Sequence, residues 1–305
     1  MFPIIPANSA ASFPENDEGI FAFGYTGGGL SGCENMSNLV SNTGVVSTDV
    51  AGVGTARYNM GACEFGGDQG IFCFGAAWIY NKDFHNLVSN TGVVASDSAG
   101  VGTARQALAA CSYGEDKGIC GFGKTASYTA ITNLVSNTGV VASDTAGVGT
   151  ARGALGACEF GGDEGIFGFG FVSGPSWLNE TNLVSNTGVV ASDTAGVGTG
   201  RRELAACSFG GDKGIFGFGD ASGSATAVTN LVSNTGVVAS DTAGVGTARQ
   251  GGPGACEFGG DQGIFGFGGD SSAITNLVSN TGVVATDQAA TTGTGRDYPG
   301  ACSFN

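Results

Sequence analysis

Short runs of apolar residues, separated by turn residues, follow one another in the same order six times along the chain. In one unit, residues 107–113 are small and apolar, and residues 118–123 alternate as a β-strand does. Residues 114–117 read as a turn between them, and Thr138-Gly139 reads as a tight hairpin between two further apolar runs. No 3.6-residue period lasts for the length of a helix. Each unit therefore predicts about four short antiparallel strands.

Two repeated phrases fix the length of the unit. NLVSNTGVV begins at Asn38, Asn86, Asn133, Asn182, Asn230 and Asn276. GI(F/C)xFG begins at Gly19, Gly70, Gly118, Gly165, Gly214 and Gly263. A period of about 46–49 residues is typical of propeller blades or of solenoid repeats.

The two ends of the chain favour a closed ring over an open solenoid. Residues 20–24 correspond to the second strand of a unit, and residues 301–304 correspond to a first strand. Pairing of the two would leave no unpaired sheet edge and no need for capping repeats. We therefore predict an all-β, six-bladed β-propeller with four antiparallel strands per blade, closed by the C-terminal strand completing the first blade. The predicted blades are 19–48 with 296–305, 57–97, 105–144, 152–193, 201–241 and 249–287, and residues 1–18 are predicted to form an extended arm.

Composition limits the partners that the chain can have. The formal net charge is -15, which argues against binding nucleic-acid phosphates or anionic lipid. No stretch of 18 apolar residues is present, so no membrane-spanning segment is predicted, and the N-terminus lacks the basic and apolar regions of a signal peptide. The charge favours solubility or a basic partner. Glycine supplies 58 of 305 residues, mostly at turns and beside phenylalanines where backbones approach closely.

The nine cysteines do not form a disulfide or metal pattern. No CxxC is present, and six cysteines share one repeated position: Cys63, Cys111, Cys158, Cys207, Cys256 and Cys302. We interpret these as small buried hydrophobic residues and predict neither a metal site nor a cofactor. Cys33, Cys73 and Cys120 lie outside that position, and Cys33, in a loop, is expected to be the most reactive thiol. An odd number of cysteines fits a reducing compartment.

Charged residues also recur at fixed positions. One arginine and one aspartate per unit flank the connector AGVGT and predict a structural ring of ion pairs: Asp49, Arg57, Asp97, Arg105, Asp144, Arg152, Asp193, Arg201, Asp241, Arg249, Asp287 and Arg296. An anion-binding ring is disfavoured because the aspartates would cancel its field. A second set is explained as turn residues, with calcium binding left open: Asp68, Asp116, Asp163, Asp212 and Asp261.

The units differ most in the loop between the second and third strands, which strand alternation predicts to lie on one face. These loops supply the candidate binding residues Trp78, Tyr80, Phe84, His85, Tyr128, Trp177 and Leu178. Such aromatic side chains suit sugar stacking or a protein interface, and the alternative is that they fold down as lids. His85 is the only histidine, and no nucleophile has a base at a recognisable spacing, so no catalytic residue is predicted. A glycosidase pair would require the central channel to bring acids together.

The repeat resembles the kelch type, with Arg105 and Arg152 opening the first strand and Gly123 and Gly170 following the second. It departs from that family because the double glycine is split into FGFG and the Tyr and Trp of the later strands are absent. The resemblance implies the propeller fold and no eukaryotic adaptor function.

Across residues 19–305, the phrases TNLVSNTGVVASDTAGVGTAR and FGGDKGIFGFG are similar to repeats of structural proteins of tailed bacteriophages, including cyanophages. This resemblance implies a non-enzymatic virion protein of a tail, fibre or decoration, assembled in the host cytoplasm as a rigid scaffold. Its expected partners are other virion proteins, contacted through residues 1–18 or through the uniform face, which lies opposite the variable loops and carries the near-identical turns GGDxG and SNTGV. One alternative is a carbohydrate-binding module that recognises a cell-surface glycan, and another is a hydrolase of surface polysaccharide.

Overall fold

A computed structural model describes residues 17–174, 176–288 and 293–304. The all-β prediction is confirmed: these residues form antiparallel strands and one short 3-10 helix, Gly29–Gly32. Residues 1–16 of the predicted arm lie outside the described residues.

Each repeat unit contributes a small sheet. The strands are β1 (Glu18–Tyr25), β2 (Cys33–Val40), β3 (Gly61–Phe65), β4 (Gln69–Cys73), β5 (Ala76–Ala77), β6 (Tyr80–Asn81), β7 (His85–Val88), β8 (Ala109–Tyr113), β9 (Lys117–Gly121), β10 (Thr132–Val135), β11 (Gly156–Phe160), β12 (Glu164–Val172), β13 (Ser176–Val184), β14 (Ala205–Phe209), β15 (Lys213–Gly217), β16 (Asp220–Ala221), β17 (Ser224–Ala225), β18 (Thr229–Val232), β19 (Gly254–Phe258), β20 (Gln262–Gly266), β21 (Thr275–Val278) and β22 (Gly300–Phe304). Unit 1 is the sheet β2-β1-β22, followed by unit 2 (β3-β4-β7), unit 3 (β8-β9-β10), unit 4 (β11-β12-β13), unit 5 (β14-β15-β18) and unit 6 (β19-β20-β21). The pairs β5-β6 and β16-β17 are separate two-stranded ribbons.

The local sequence explains the first two strands of a unit. In unit 5, β14 and β15 pair antiparallel with Cys207 opposite Ile215. The turn between them uses Gly210 and Gly211, both at positive φ, which glycine adopts without steric cost. β14 alternates buried and half-buried residues, whereas β15 is buried after its first residue. The middle strand is thus covered on both faces by neighbouring sheets.

The fourth strand of each unit is reduced to two isolated bridges. In unit 5 these join Val232 to Val238 and Thr229 to Thr242. Side chains replace some of the backbone hydrogen bonds that a full fourth strand would make. In unit 5, for example, Asn230 Nδ2 donates to the carbonyl of Ala239 at 3.0 Å. The described sheets therefore have three strands and a bridged segment where four strands were expected.

The apolar core lies between sheets as much as within them. Phe169 of unit 4 meets Phe216 of unit 5 edge to face, with ring centroids 5.1 Å apart. Four further pairs repeat this contact: Phe21–Phe267, Phe23–Phe72, Phe122–Phe167 and Phe218–Phe265. Burial of each sheet therefore depends on its neighbour.

The first strands of the units lie side by side. β3 lies beside β8, β8 beside β11, β11 beside β14, and β14 beside β19. β22 lies beside both β19 and β3, and it pairs antiparallel with β1, with Phe304 opposite Glu18. The last strand of the chain thus belongs to the sheet of the first unit, as the sequence predicts.

Candidate functional site

The repeated arginines are buried and join neighbouring sheets. Arg152 donates from Nε to the carbonyl of Phe169 at 2.7 Å and from Nη2 to Asn182 Oδ1 at 2.7 Å. Its guanidinium carbon lies 4.3 Å from the centre of the Phe122 ring in the preceding unit. Burial lowers the pKa of Arg152 to about 10, which leaves it charged at neutral pH. This side chain is a fixed part of the packing.

Each arginine approaches an aspartate of its own unit rather than the one across the connector. Arg152 Nη1 lies 3.6 Å from Asp193 Oδ1, and three other pairs, Arg57–Asp97, Arg201–Asp241 and Arg249–Asp287, lie at 3.7–3.9 Å. The stronger link of Asp193 is to Thr150, whose backbone N–H and hydroxyl both donate to it. The same links join Asp97 to Thr55, Asp144 to Thr103, Asp241 to Thr199, Asp287 to Thr247 and Asp49 to Thr294.

These carboxylates are held ionised by hydrogen bonds. Burial on its own would raise the pKa of Asp193, but donors on Thr150 and Asn182, with the charge of Arg152, lower it below its usual range. The predicted ring therefore consists mainly of the hydrogen bonds from each threonine to its aspartate, which we call threonine clamps. The ion pairs between the same aspartates and the arginines are longer and weaker. Together these contacts hold each connector against a sheet.

His85 and Phe84 lie where the loop of unit 2 meets its third strand. His85 lies in β7 opposite Cys73, at the position that Thr132 occupies in unit 3, and only 9% of it is exposed. Burial, and then the charge of Arg57, lower the pKa of His85. The Phe84 ring lies 5.1 Å from the Arg57 guanidinium. Of these two, only His85 lies in a strand rather than on the loop, because the third strand of unit 2 begins one residue before Asn86, while Phe84 ends the loop that precedes it.

Trp78 and Tyr80 lie on a small ribbon over units 1 and 2. The backbone N–H of Trp78 donates to Cys33 Sγ at 3.3 Å, and its carbonyl accepts from the Tyr58 hydroxyl at 3.0 Å. The Tyr58 ring stacks at a tilt on Tyr25. Tyr80 is 65% exposed at the tip of the ribbon. Cys33, expected to be the reactive thiol, is thus half-buried and engaged by this cluster.

A cavity of about 190 Å³ lies on the loop face, over units 3, 4 and 5. Of the seven candidate binding residues, only Tyr128 lines it. Its other lining residues are Asn59, Gln106, Ala107, Lys124, Ala154, Phe171, Arg202, Glu203 and Tyr298. Trp177 does not line the cavity but contacts Phe171, which does; their ring centroids lie 5.5 Å apart. Leu178 lies in β13 opposite Gly170.

Arg202 is the cavity residue that sequence reasoning missed. It is the only arginine outside the repeated buried position, which is the signal that could have identified it. Its Nε donates to Asp220 Oδ2 at 2.7 Å, and its guanidinium carbon lies 4.7 Å from the centre of the Phe171 ring. Burial disfavours its charge, but the hydrogen bond to Asp220 together with the nearby charges of Glu203 and Asp220 outweighs this and raises the pKa of Arg202.

Glu203 and Tyr298 close the inner side of the cavity. Glu203 Oε2 accepts from the backbone N–H of Gly251 at 3.2 Å. Burial, followed by the nearby charge of Glu203, raises the pKa of Tyr298, so the phenol stays protonated. The one carboxylate among the lining residues is thus already engaged by backbone and phenol.

Alternating glutamates and serines line the channel between the first strands. Glu64, Glu159 and Glu257 alternate around it with Ser112, Ser208 and Ser303. Ser112 Oγ lies 3.2 Å from Glu64 Oε1. Burial and the nearby Glu64 raise the pKa of Glu159 to about 8. The space here is about 50 Å³, which has room for water and not for a sugar ring.

The turn aspartates are engaged within their own units. Asp116 accepts from Asn137 Nδ2 at 2.9 Å and from Lys117 Nζ at 2.7 Å. Among residues 17–174, 176–288 and 293–304, no group of three or more His, Cys, Asp or Glu side chains is placed to hold a metal ion. The second aspartate set therefore acts through turn hydrogen bonds in this structure.

A scan against protein-family models finds no family that matches the chain, and a search of curated proteins finds no match either. Within the part of the chain that the structure describes, no helix has the length and apolarity needed to cross a bilayer.

Proposed function

We propose that the chain is a closed six-bladed β-propeller that serves as a non-enzymatic scaffold in a bacteriophage particle, as a tail, fibre or decoration protein. The repeat phrases support the phage assignment through their resemblance to virion proteins. The observation that carries the architecture is that β22 lies beside both β19 and β3 while it pairs with β1. A chain joined to itself in this way is stiff, which suits an attachment platform.

Backbone hydrogen bonds at the channel mouth support closure. The N–H of Ala107 donates to the carbonyl of Asn59, that of Asn59 to Tyr298, and that of Tyr298 to Gly251. Ala154 and Glu203 continue the series from Ala107. At the opposite end Gly259 donates to Asp17, the equivalent of the link from Gly66 to Asp116. These contacts run from the last unit back to the first.

The uniform face supports attachment to a partner that is itself sixfold. The first valine of each SNTGVV hairpin is 63–65% exposed: Val45, Val93, Val140, Val189, Val237 and Val283. Six apolar side chains with equal exposure present the same contact six times, whereas the opposite face differs from unit to unit. The net charge of -15 favours a basic partner surface.

The test is particle incorporation. A variant with threonine at all six exposed valines keeps the β-branched shape and is expected to fold, but to be lost from purified particles. The matched control changes Ile79 and Tyr80 on the opposite face to threonine and is expected to be incorporated. A second variant that lacks residues 1–16 separates attachment by the arm from attachment by the face. If the six-valine variant enters particles at the wild-type level, attachment by the uniform face is wrong.

Carbohydrate recognition is the second candidate function, and the cavity with Tyr128 and Phe171 favours it. Aromatic rings beside hydrogen-bonding side chains are typical of sugar sites. A glycan array with wild-type protein and with Tyr128→Ala tests it, and Tyr80→Ala, an exposed aromatic residue outside the cavity lining, is the control. Absence of any bound glycan with the wild-type protein would reject this function, and with it the expectation that the loop aromatics face a ligand.

A further inference from the structure

Arg202 is held rigidly while its terminal nitrogens remain available. Asp220, which is itself 1% exposed, accepts from Nε, and the rings of Phe171 and Trp177 lie 4.7 and 5.8 Å from the guanidinium carbon. Among the described residues no hydrogen bond is made by Nη1 or Nη2 of Arg202. A guanidinium fixed in this way presents two parallel donors, which match the two oxygens of a carboxylate.

Lys124 adds a second cationic group to the same cavity. Its side chain is exposed, its Nζ lies 5.4 Å from the centre of the Tyr128 ring, and it has no carboxylate partner among the described residues. Lys117 and Lys213, in contrast, are each paired with the preceding aspartate. The cavity therefore holds two cationic side chains, of which Arg202 is paired through Nε with Asp220 and Glu203, whereas Lys124 has no ion-pair partner among the described residues.

The remaining walls suit a single sugar ring. Tyr128 and Phe171 provide aromatic surface, with centroids 6.2 Å apart, and Asn59 and Gln106 provide amide groups for hydroxyls. At about 190 Å³ the cavity is smaller than the clefts of about 300–1,000 Å³ that enclose drug-sized ligands. Glu203, the acidic residue of the lining, is paired through Oε1 with Arg202 Nε at 3.6 Å and accepts from the Gly251 N–H through Oε2, so both of its oxygens are already engaged.

We propose that this cavity binds one sugar residue that carries a carboxylate, a hexuronic acid residue at the end or edge of a polysaccharide. Arg202 binds the carboxylate through its two terminal nitrogens, Lys124 adds long-range attraction, and the Tyr128 ring covers one face of the sugar. This inference rests on the carbohydrate recognition proposed above and adds to it the acidic class of the sugar.

The experiment compares acids with their neutral esters. Wild-type protein is titrated with the methyl glycosides of galacturonic and glucuronic acid and with their methyl esters, followed by saturation-transfer NMR and calorimetry. We expect at least one acid to bind at least tenfold more tightly than its ester, and its affinity to fall with added salt.

Variants then assign the contacts. Arg202→Gln is expected to lose tenfold or more in affinity for the acid, and Lys124→Gln to lose a few fold. Lys82→Gln, the matched control on a neighbouring loop, is expected to bind as wild type does. Because Arg202→Gln leaves Asp220 without its partner, Arg202→Lys and Tyr128→Ala are measured as well, with circular dichroism to verify folding. Both are expected to bind the acid more weakly than wild type.

The outcomes separate the two proposals. Equal binding of acid and ester overturns the acidic class and leaves carbohydrate recognition standing. No binding of acid or ester overturns the acidic class, and a blank glycan array then removes carbohydrate recognition too. Wild-type affinity in both Arg202 variants would also overturn the inference.

Discussion

At the scale of single residues, Cys73 and Cys120 replace a pair that is glycine and phenylalanine at four of the other five unit boundaries, and Ala22 with Phe72 at the fifth. At four unit boundaries the phenylalanine of one sheet packs directly against a glycine of the preceding sheet. Phe167 packs on Gly121 in this way, and a Cβ added to Gly121 would lie 2.7 Å from the Phe167 ring. Between units 2 and 3 the glycine becomes Cys73 and the phenylalanine becomes Cys120, and both are fully buried and in contact. The larger Cys73 in place of glycine and the smaller Cys120 in place of phenylalanine together keep the buried side-chain volume nearly constant, whereas either change alone would alter it.

A double-mutant cycle tests this compensation. We expect Cys120→Phe alone to destabilise the protein by about 1–3 kcal/mol through overpacking against Cys73. Cys73→Gly alone is expected to cost about 1 kcal/mol or more through a cavity and a more flexible backbone. The double variant restores the glycine and phenylalanine of the four matching boundaries and is expected to lie within about 1 kcal/mol of wild type. Urea unfolding measures all four proteins, and additive losses would disprove the pairing.

The pKa of Glu159 predicts a pH dependence of stability. Its pKa is raised to about 8 from an ordinary 4.5, so between these pH values the folded protein holds a proton that the unfolded chain releases. This carboxyl therefore makes the free energy of unfolding fall as pH rises from about 5 to 8. Glu159→Gln keeps the neutral form at every pH and should remove that fall, which is worth on the order of a few kcal/mol at pH 8.

Thermal melts at pH 5 and pH 8 measure the effect. The control is Glu164→Gln in the same sheet, which should keep the wild-type pH dependence. Below about pH 4 the aspartates of the threonine clamps, whose pKa values are lowered, become protonated and reduce stability, so the comparison is confined to the higher range. An unchanged slope in Glu159→Gln would contradict the assignment.

Residue roles could be predicted from the sequence only where the six units agree. Burial of the repeated cysteines followed from their shared position, and all six are buried. The partner of each arginine did not follow, because sequence proximity favoured the aspartate across the connector while the sheet brings another one closer. The role of Arg202 did not follow either, because no other unit has an arginine at that position and no repeated pattern therefore indicates it.

At the scale of elements, β22 is the strand on which unit 1 depends. It completes the sheet of β1, carries Phe304 and Cys302 into the core, and follows Arg296, which donates to the carbonyls of Phe23 and Phe21. Loss of this segment would expose β1 and remove contacts to units 2 and 6 together.

A chain that ends at residue 292 is therefore expected to lose cooperative unfolding and its native circular dichroism. Added peptide 293–305 should restore both, because it supplies the missing strand. The control is a circular permutant that joins residue 305 to residue 17 through a short linker and opens in the connector at 146–148; it keeps all six sheets and should fold. A truncated chain that melts as the full-length protein does would refute this dependence.

Strand positions could be predicted well from alternation, and the hairpin turns from their Gly, Asn and Asp residues. The reduction of the fourth strand to two isolated bridges could not be predicted. Its apolar residues are typical of a strand, but side chains such as Asn230 bind the carbonyls that a strand partner would otherwise use. The start of β7 was also misjudged, because an aromatic segment rich in polar residues reads as a loop until the register of Cys73 with His85 is known.

At the scale of the whole molecule, the repeat predicted the six three-stranded sheets and the pairing of the first and last strands in one of them, but not the two small ribbons. Repetition makes this possible, since six equal units bury their sheets on each other and leave few alternative arrangements. The cavity could not be predicted, because it depends on how unequal loops from units 3 to 5 meet over the channel mouth. Unequal loops follow no shared pattern, and only their packing decides which aromatic residues remain open.

The alternation of glutamate and serine around the channel has a consequence for how such a chain can grow. No two glutamates and no two serines lie on adjacent first strands. Glu64 lies between Ser112 and Ser303, and Glu159 lies between Ser112 and Ser208. Insertion or deletion of a single unit would force two carboxylates, or two hydroxyls, to sit next to each other in a space with room only for water. Insertion or deletion of two adjacent units together would preserve the alternation, whereas a single unit would not.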